Sequence, residues 1–290
     1  MAKFLLLLVA VGWTVPAFSQ ASAPRPLILW LHGCTQSAQE FMGLTGLEEK
    51  QQWMGLDTII YTPEQSVLKN PLTCWNWFLP ANQKRNQGKL KEITDHIQEL
   101  VKKGLVDPEQ IYVGGFSAGG VLAAHFAYCY PDIFKAALIH SGAPYRILGR
   151  YRQAENDLGE KAIKCSRDIS RRKLQEIVIV RGERDKISTS SHAEKSLRQG
   201  LYFLNHSDDG PLNSSFTKVA DSEDFIRWKT SGGCGGFLYS CAGHGARLEW
   251  RGCRIHLCFA KHLRCDDSFS QYDKVPFSLS VRTEVRDALF

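Results

Sequence analysis

Ile111-Tyr112-Val113-Gly114-Gly115-Phe116-Ser117-Ala118-Gly119-Gly120-Val121-Leu122-Ala123-Ala124 is the stretch from which the rest of the chain can be read. Three β-prone residues lead into a glycine-rich turn, and a run of small apolar residues then continues as a helix to Tyr128. At its centre stands Gly115-Phe116-Ser117-Ala118-Gly119, a G-x-S-x-G. Between a strand and a helix, this pattern puts the serine on a sharp, strained turn with its hydroxyl exposed. Small neighbours let the helix start close against the strand. The pattern alone occurs in many proteins as a structural turn. The strand before it and the helix after it make Ser117 the predicted nucleophile.

A serine hydroxyl is a poor nucleophile at neutral pH, so it needs a histidine base and a carboxylate to orient that base. It also needs two backbone N–H groups aimed at the developing oxyanion. The amide of Ala118 is one expected donor. The amide of Cys34, in the turn His32-Gly33-Cys34 that closes the first strand, is the other. The side chain of His32 is read as structural, holding that turn. On a nucleophile turn of this kind the residues follow the order serine, acid, histidine. The acid is therefore sought in Val180-Arg181-Gly182-Glu183-Arg184-Asp185, where Asp185 is the choice and Glu183 the rival.

Working outward, Pro26-Leu27-Ile28-Leu29-Trp30-Leu31 is a continuous apolar run, as expected of a strand buried on both faces of a parallel sheet. A helix is predicted over 38–54, a strand over 58–61, a long loop over 64–88 and an amphipathic helix over 90–103, stopped by Gly104. Asp95 and His96 on that last helix are read as solvated. Further strands are predicted at 136–139 and 177–180. Strands alternating with helices give an α/β fold with a mostly parallel, doubly wound sheet in three αβα layers. No linker divides it, so residues 20–232 are expected to form one domain.

Composition narrows the class. With 43% hydrophobic and 11% aromatic residues the chain is globular rather than disordered. The net charge of +6 is scattered without a basic stripe, which argues against a nucleic-acid partner. Lys3, an apolar stretch over 4–15, and Ala17 and Ser19 at −3 and −1 describe a secretory signal peptide over 1–19. The stretch is too short to span a bilayer, so no membrane anchor is expected after its removal. The mature chain is then extracellular or periplasmic, where cysteines pair.

Several segments together resemble the secreted poly(3-hydroxybutyrate) depolymerase and feruloyl-esterase-like group of α/β-hydrolases. They are Leu31-His32-Gly33-Cys34-Thr35-Gln36, Tyr61-Thr62-Pro63-Glu64-Gln65, Cys74-Trp75-Asn76-Trp77-Phe78, the turn around Ser117, Tyr130-Pro131-Asp132-Ile133-Phe134 and the turn ending at Asp185. They cover roughly residues 26–190. The resemblance implies hydrolysis of carboxylic esters on polymers or aryl-sugar conjugates outside the cell; separately, a monomer without a cofactor is expected. It also implies a Cys34–Cys74 disulfide pinning the oxyanion turn to the Trp75–Trp77 segment. Trp75 and Trp77 are expected either to wall a substrate site or to pack the loop. The same turn also serves peptidases and lipases, which stay open as alternatives.

Beyond about residue 233 the chain changes character. Five of its nine cysteines (Cys234, Cys241, Cys253, Cys258, Cys265) fall there, and no convincing amphipathic helix closes the fold. Their spacing lacks the paired pattern of a metal site, and no metal is expected. Where the family carries its histidine in a segment reading approximately G-M-G-H-A-W-S-G-G, this chain has Ala242-Gly243-His244-Gly245-Ala246-Arg247-Leu248-Glu249-Trp250-Arg251-Gly252. His244 is the expected base, with His206, His256 and His262 weaker. Codons for these residues, read one nucleotide later, permit M-G-H-A-W-S-G-G. The tail over 233–290 is accordingly read as atypical and displaced from its frame near residues 232–234, with His244 as a stand-in. A catalytically dead protein of the same fold is the competing reading.

Overall fold

In the computed structural model the described residues are 23–53, 55–147, 155–182, 185–207, 210–211, 217–222, 225–229, 235–241, 254–257 and 279–282. At 155–156 and from residue 205 onward the backbone alone is described. The expected signal peptide, Glu183, His244 and His262 lie outside these residues.

The elements run β1 (Arg25–Leu31), α1 (Ala38–Thr45), α2 (Leu47–Trp53), β2 (Ile59–Tyr61), a 3-10 turn (Pro80–Gln83), α3 (Gly88–Lys102), β3 (Val106–Phe116), α4 (Ala118–Cys129), β4 (Ala136–His140), α5 (Glu155–Cys165), β5 (Glu176–Gly182) and α6 (Ser190–Asn205). Then come β6 (His206–Ser207), β7 (Gly210–Pro211), β8 (Thr217–Ser222), β9 (Phe225–Lys229), β10 (Gly235–Cys241), β11 (Arg254–Leu257) and β12 (Leu279–Arg282). One sheet has the order β2-β1-β3-β4-β5-β10-β9-β8. From β2 to β10 neighbouring strands are parallel, and β9 and β8 extend the sheet antiparallel. The strand β10 lies beyond the expected domain edge at residue 232 and pairs with β5 over Gly236–Ile177 to Cys241–Gly182.

The apolar run in β1 does what a doubly covered strand must. Leu27, Leu29 and Leu31 enter the larger core, with Ile93 and Ile97 of α3, Leu122 and Phe126 of α4, and Leu197 and Leu201 of α6. Ile28 and Trp30 enter a smaller core on the other face, with Phe41 of α1 and Leu47 of α2. Burying each such side chain contributes roughly 1.5–3 kcal/mol, which anchors the strand centrally.

The expected helix over 38–54 is two helices. Ser37 and Glu40 form a capping box at the start of α1. Gly46, at φ 57, ends α1 in the left-handed conformation that glycine tolerates, and α2 begins at the next residue. Among the described residues no helix is long and apolar enough to cross a membrane.

Candidate active site

Ser117 sits between the end of β3 and the start of α4 with φ 54 and ψ −120, a conformation costly for a residue with a side chain. Glycines make the turn possible by close approach. A Cβ on Gly119 would meet the Leu31 carbonyl oxygen at 2.2 Å, and one on Gly115 would meet the Gly119 backbone at 2.5 Å. The first turn of α4 therefore lies directly on the end of β1, beside the His32-Gly33-Cys34 turn. The Ser117 amide donates to the His140 carbonyl of β4 at 2.9 Å, fixing the apex to the next strand.

That neighbouring turn is held from several directions. The His32 ring is fully buried; since the Gly33 carbonyl 2.8 Å from Nδ1 can only accept, Nδ1 carries the proton. Nε2 then accepts from the Gln65 amide at 3.3 Å. Burial holds this imidazole below its usual range, against the opposing pull of the Gly33 carbonyl and Glu64, so it is neutral and structural as read from the sequence. The Gly33 amide donates to Gln36 Oε1 at 2.8 Å and the Thr35 amide to the Leu72 carbonyl at 2.6 Å. Between them, the Cys34 amide meets no acceptor among the described residues. The Ala118 amide, at the first position of α4, is likewise unused there, and the positive end of the helix dipole adds to its pull on an anion. The two amides expected to form an oxyanion hole thus belong to adjoining turns.

The Cys34–Cys74 disulfide that the resemblance implied is present. It ties the His32-Gly33-Cys34 turn to the Trp75 segment. Trp75 is fully buried, donates from Nε1 to the His32 carbonyl at 2.8 Å and packs on the His32 ring. Of the two roles open to it, burial leaves packing. Trp77 is half-buried, edge-on to the exposed Phe78.

Asp185 follows β5 by three residues and is buried. Its Oδ1 accepts from the amides of Ile187 at 2.9 Å and Ser188 at 2.8 Å. The Ser188 hydroxyl donates to the Gly142 carbonyl at 2.6 Å, joining this turn to the loop after β4. Oδ2, also buried, has no partner among the described residues. A fixed carboxylate with one open oxygen suits an acid that must receive an imidazole N–H. Two described histidines feel its charge. Burial presses His140 down to about 4 against the pull of Asp185, and burial with Lys195 lowers His192 against the same pull. His206 falls in β6 and His256 in β11, where only the backbone is described. His244 lies outside the described residues; in sequence it follows the last residue of β10 by three positions, as Asp185 follows β5.

Sequence reasoning missed a second disulfide, Cys129–Cys165, between the ends of α4 and α5. The even number of cysteines before the tail was the available signal.

Six parallel strands with helices on both faces and a serine at positive φ on the strand–helix turn define an α/β-hydrolase fold. The chain belongs to the esterase PHB depolymerase family, whose model matches residues 15–210. It is 34% identical over 137 residues to poly(3-hydroxyalkanoate) depolymerase C of Paucimonas lemoignei, covering 46% of this chain and 31% of that protein. It is 30% identical over 127 residues to feruloyl esterase B of Thermothelomyces thermophilus, covering 43% and 42%. These matches therefore span less than half the length of either relative. In fold it is similar to the acetyl xylan esterase from Aspergillus awamori, with a TM-score of 0.60 at 17% identity over 78% of this chain and 85% of that one.

Proposed function

We propose that this protein is a secreted serine hydrolase of carboxylic esters, acting through an acyl-enzyme on Ser117. The observation that carries the reading is Ser117 at φ 54 on the first turn of α4, adjoining the turn that presents the Cys34 amide. Ser117 Oγ attacks the ester carbonyl carbon and passes its proton to the base. The amides of Cys34 and Ala118 hold the resulting oxyanion. Collapse expels the alcohol, which takes the proton from the base, and water then releases the acid by the same steps in reverse order. Asp185 orients the base through its open Oδ2. The base comes from the segment after β10, and in this reading frame His244 is the stand-in.

The substrates favoured are polyhydroxyalkanoates or acyl and aryl esters of polysaccharides, by likeness to the depolymerase and feruloyl esterase relatives. Two disulfides among the described residues and the apolar N-terminal stretch support secretion to an oxidising compartment. Turnover of p-nitrophenyl butyrate tests the reading. Ser117→Ala is expected to lower kcat by about a thousandfold or more. Equal rates in the two chains favour the catalytically dead reading instead, for which the departure from the family around His244 speaks.

A further inference from the structure

Two residues that are not glycine take left-handed φ directly after adjoining strands: Ser117 after β3, and Ser141, at φ 48, after β4. The two strands run parallel and pair Phe116 with His140, so the serines occupy equivalent places one strand apart. Glycine would take this conformation freely, and one stands next in the chain at Gly142, yet the strained place is held by a residue with a hydroxyl. Strain of this kind clusters at functional sites.

Three hydrogen bonds fix Ser141 between the nucleophile and the acid. The His140 carbonyl before it accepts from the Ser117 amide at 2.9 Å, and its own amide donates to the Val180 carbonyl of β5 at 2.7 Å. The Gly142 carbonyl after it accepts from the Ser188 hydroxyl of the Asp185 turn at 2.6 Å. Ser141 itself is half-buried, and its hydroxyl meets no partner among the described residues. The backbone on both sides is spent on support, while the side-chain oxygen is left open.

The position says which part of an ester comes to it. In the strand order β2-β1-β3-β4-β5, the turn with the Cys34 amide lies on the β1 side of Ser117, and Ser141 lies on the opposite side, toward Asp185. With the carbonyl oxygen held on the β1 side, the alcohol oxygen faces the base, which protonates it as it leaves. Asp185, after β5, orients that base. The alcohol half of the ester therefore lies over the end of β4, where Ser141 stands.

We propose that Ser141 is a specificity-determining residue for the alcohol half. Its hydroxyl binds a second oxygen that the alcohol carries close to the ester being cut, and so favours esters of polyols or hydroxy acids over esters of plain alcohols. The proposal rests on the esterase reading for the orientation of the ester, and its test needs no turnover. Dissociation constants are measured by ligand-observed NMR titration in the Ser117→Ala chain for two pairs of esters. 2-Hydroxyethyl butyrate against propyl butyrate stands for a polyol ester. Methyl 3-(butanoyloxy)butanoate against hexan-2-yl butyrate stands for a hydroxy-acid ester.

Adding Ser141→Ala is expected to shift at least one of the two ratios by about fivefold toward the plain ester, the size of one hydrogen bond in a wet cleft. The pair that shifts names the source. Ser141→Gly is expected to give the same shift, and it stands in should Ser141→Ala fail to fold, since glycine takes this φ without strain. Ratios unmoved in both variants overturn the proposal, even where every affinity falls in proportion, since Ser141 then serves the loop alone. So does binding of none of the four esters. Failure of the esterase reading shows separately, as these ratio shifts without p-nitrophenyl butyrate turnover in the Ser117 chain.

Discussion

The strands that precede Ser117 and Asp185 and the strand that precedes His244 end on the same edge of one sheet, yet they are built differently. Strands β3 and β5 sit inside the parallel array, each followed by a helix that covers a shared core, α4 after β3 and α6 after β5. Their turns are over-determined: glycine contacts fix Ser117, and two amides and the Ser188 hydroxyl fix Asp185. Strand β10 joins β5 on one side and the antiparallel β9 on the other, and the next described element is β11. Two members of the candidate site therefore carry their own local support, while the third depends on a segment whose sequence departs from the family.

The largest effect that sharpens this contrast comes from exchanging the weak member alone. Replacing residues 244–251 by Met-Gly-His-Ala-Trp-Ser-Gly-Gly supplies a histidine two positions from His244. It is expected to raise kcat/KM on p-nitrophenyl butyrate by about a hundredfold or more, within the range lost when a triad base is removed. No gain would mean that the tail does not limit the site, and the contrast would break.

A smaller effect separates the two disulfides. They close loops of similar length, with sequence separations of 40 and 36, so removal of either should cost a comparable amount, about 2–4 kcal/mol in urea unfolding. Their effect on catalysis should differ. Cys34→Ser with Cys74→Ser frees the oxyanion turn and is expected to cost about tenfold in kcat, whereas Cys129→Ser with Cys165→Ser, at the far ends of α4 and α5, leaves kcat within about twofold. Equal losses of kcat would argue that the oxyanion turn needs no tether.

The smallest effect concerns His125, fully buried in α4 with Nδ1 on the Val121 carbonyl and its ring edge-on to Tyr145. Burial lowers it to about 4, with the charge of Arg146 adding to the shift and the Val121 carbonyl opposing it. Its folded value lies below the unfolded one, so the unfolded chain binds the proton first. The stability that this group contributes is present above pH 6.5 and is lost as the pH falls toward 4. Over that window urea midpoints are expected to drop, with His125 accounting for roughly 2–3 kcal/mol. His125→Leu should flatten the drop, leaving the part due to the other lowered imidazoles, His32, His140 and His192. An unchanged slope would contradict the assignment.

Much of this was legible before any coordinates. Apolar runs and the residues ending them located β1, β4 and β5, because a strand covered on both faces has no polar alternation to blur it. The turn chemistry around Ser117 located the strand–helix turn on which the serine stands at positive φ. Other features depend on contacts between distant segments. Gly46 splits the helix over 38–54 by its backbone angle, which residue periodicity does not register. Strand β3 starts five residues earlier than its apolar core, at Val106, because Val106 pairs across with Arg25 of β1, a contact between distant segments. Trp75 and Trp77 look equivalent in sequence, and only the His32 carbonyl meeting the Trp75 indole distinguishes a packed ring from a half-buried one.

The most direct test is to treat the native chain with a fluorophosphonate and map the adduct by mass spectrometry. The account predicts a single modified residue, Ser117, whose labelling is lost in Ser117→Ala. An adduct on another side chain, or none on Ser117 even with the histidine segment replaced, would contradict it.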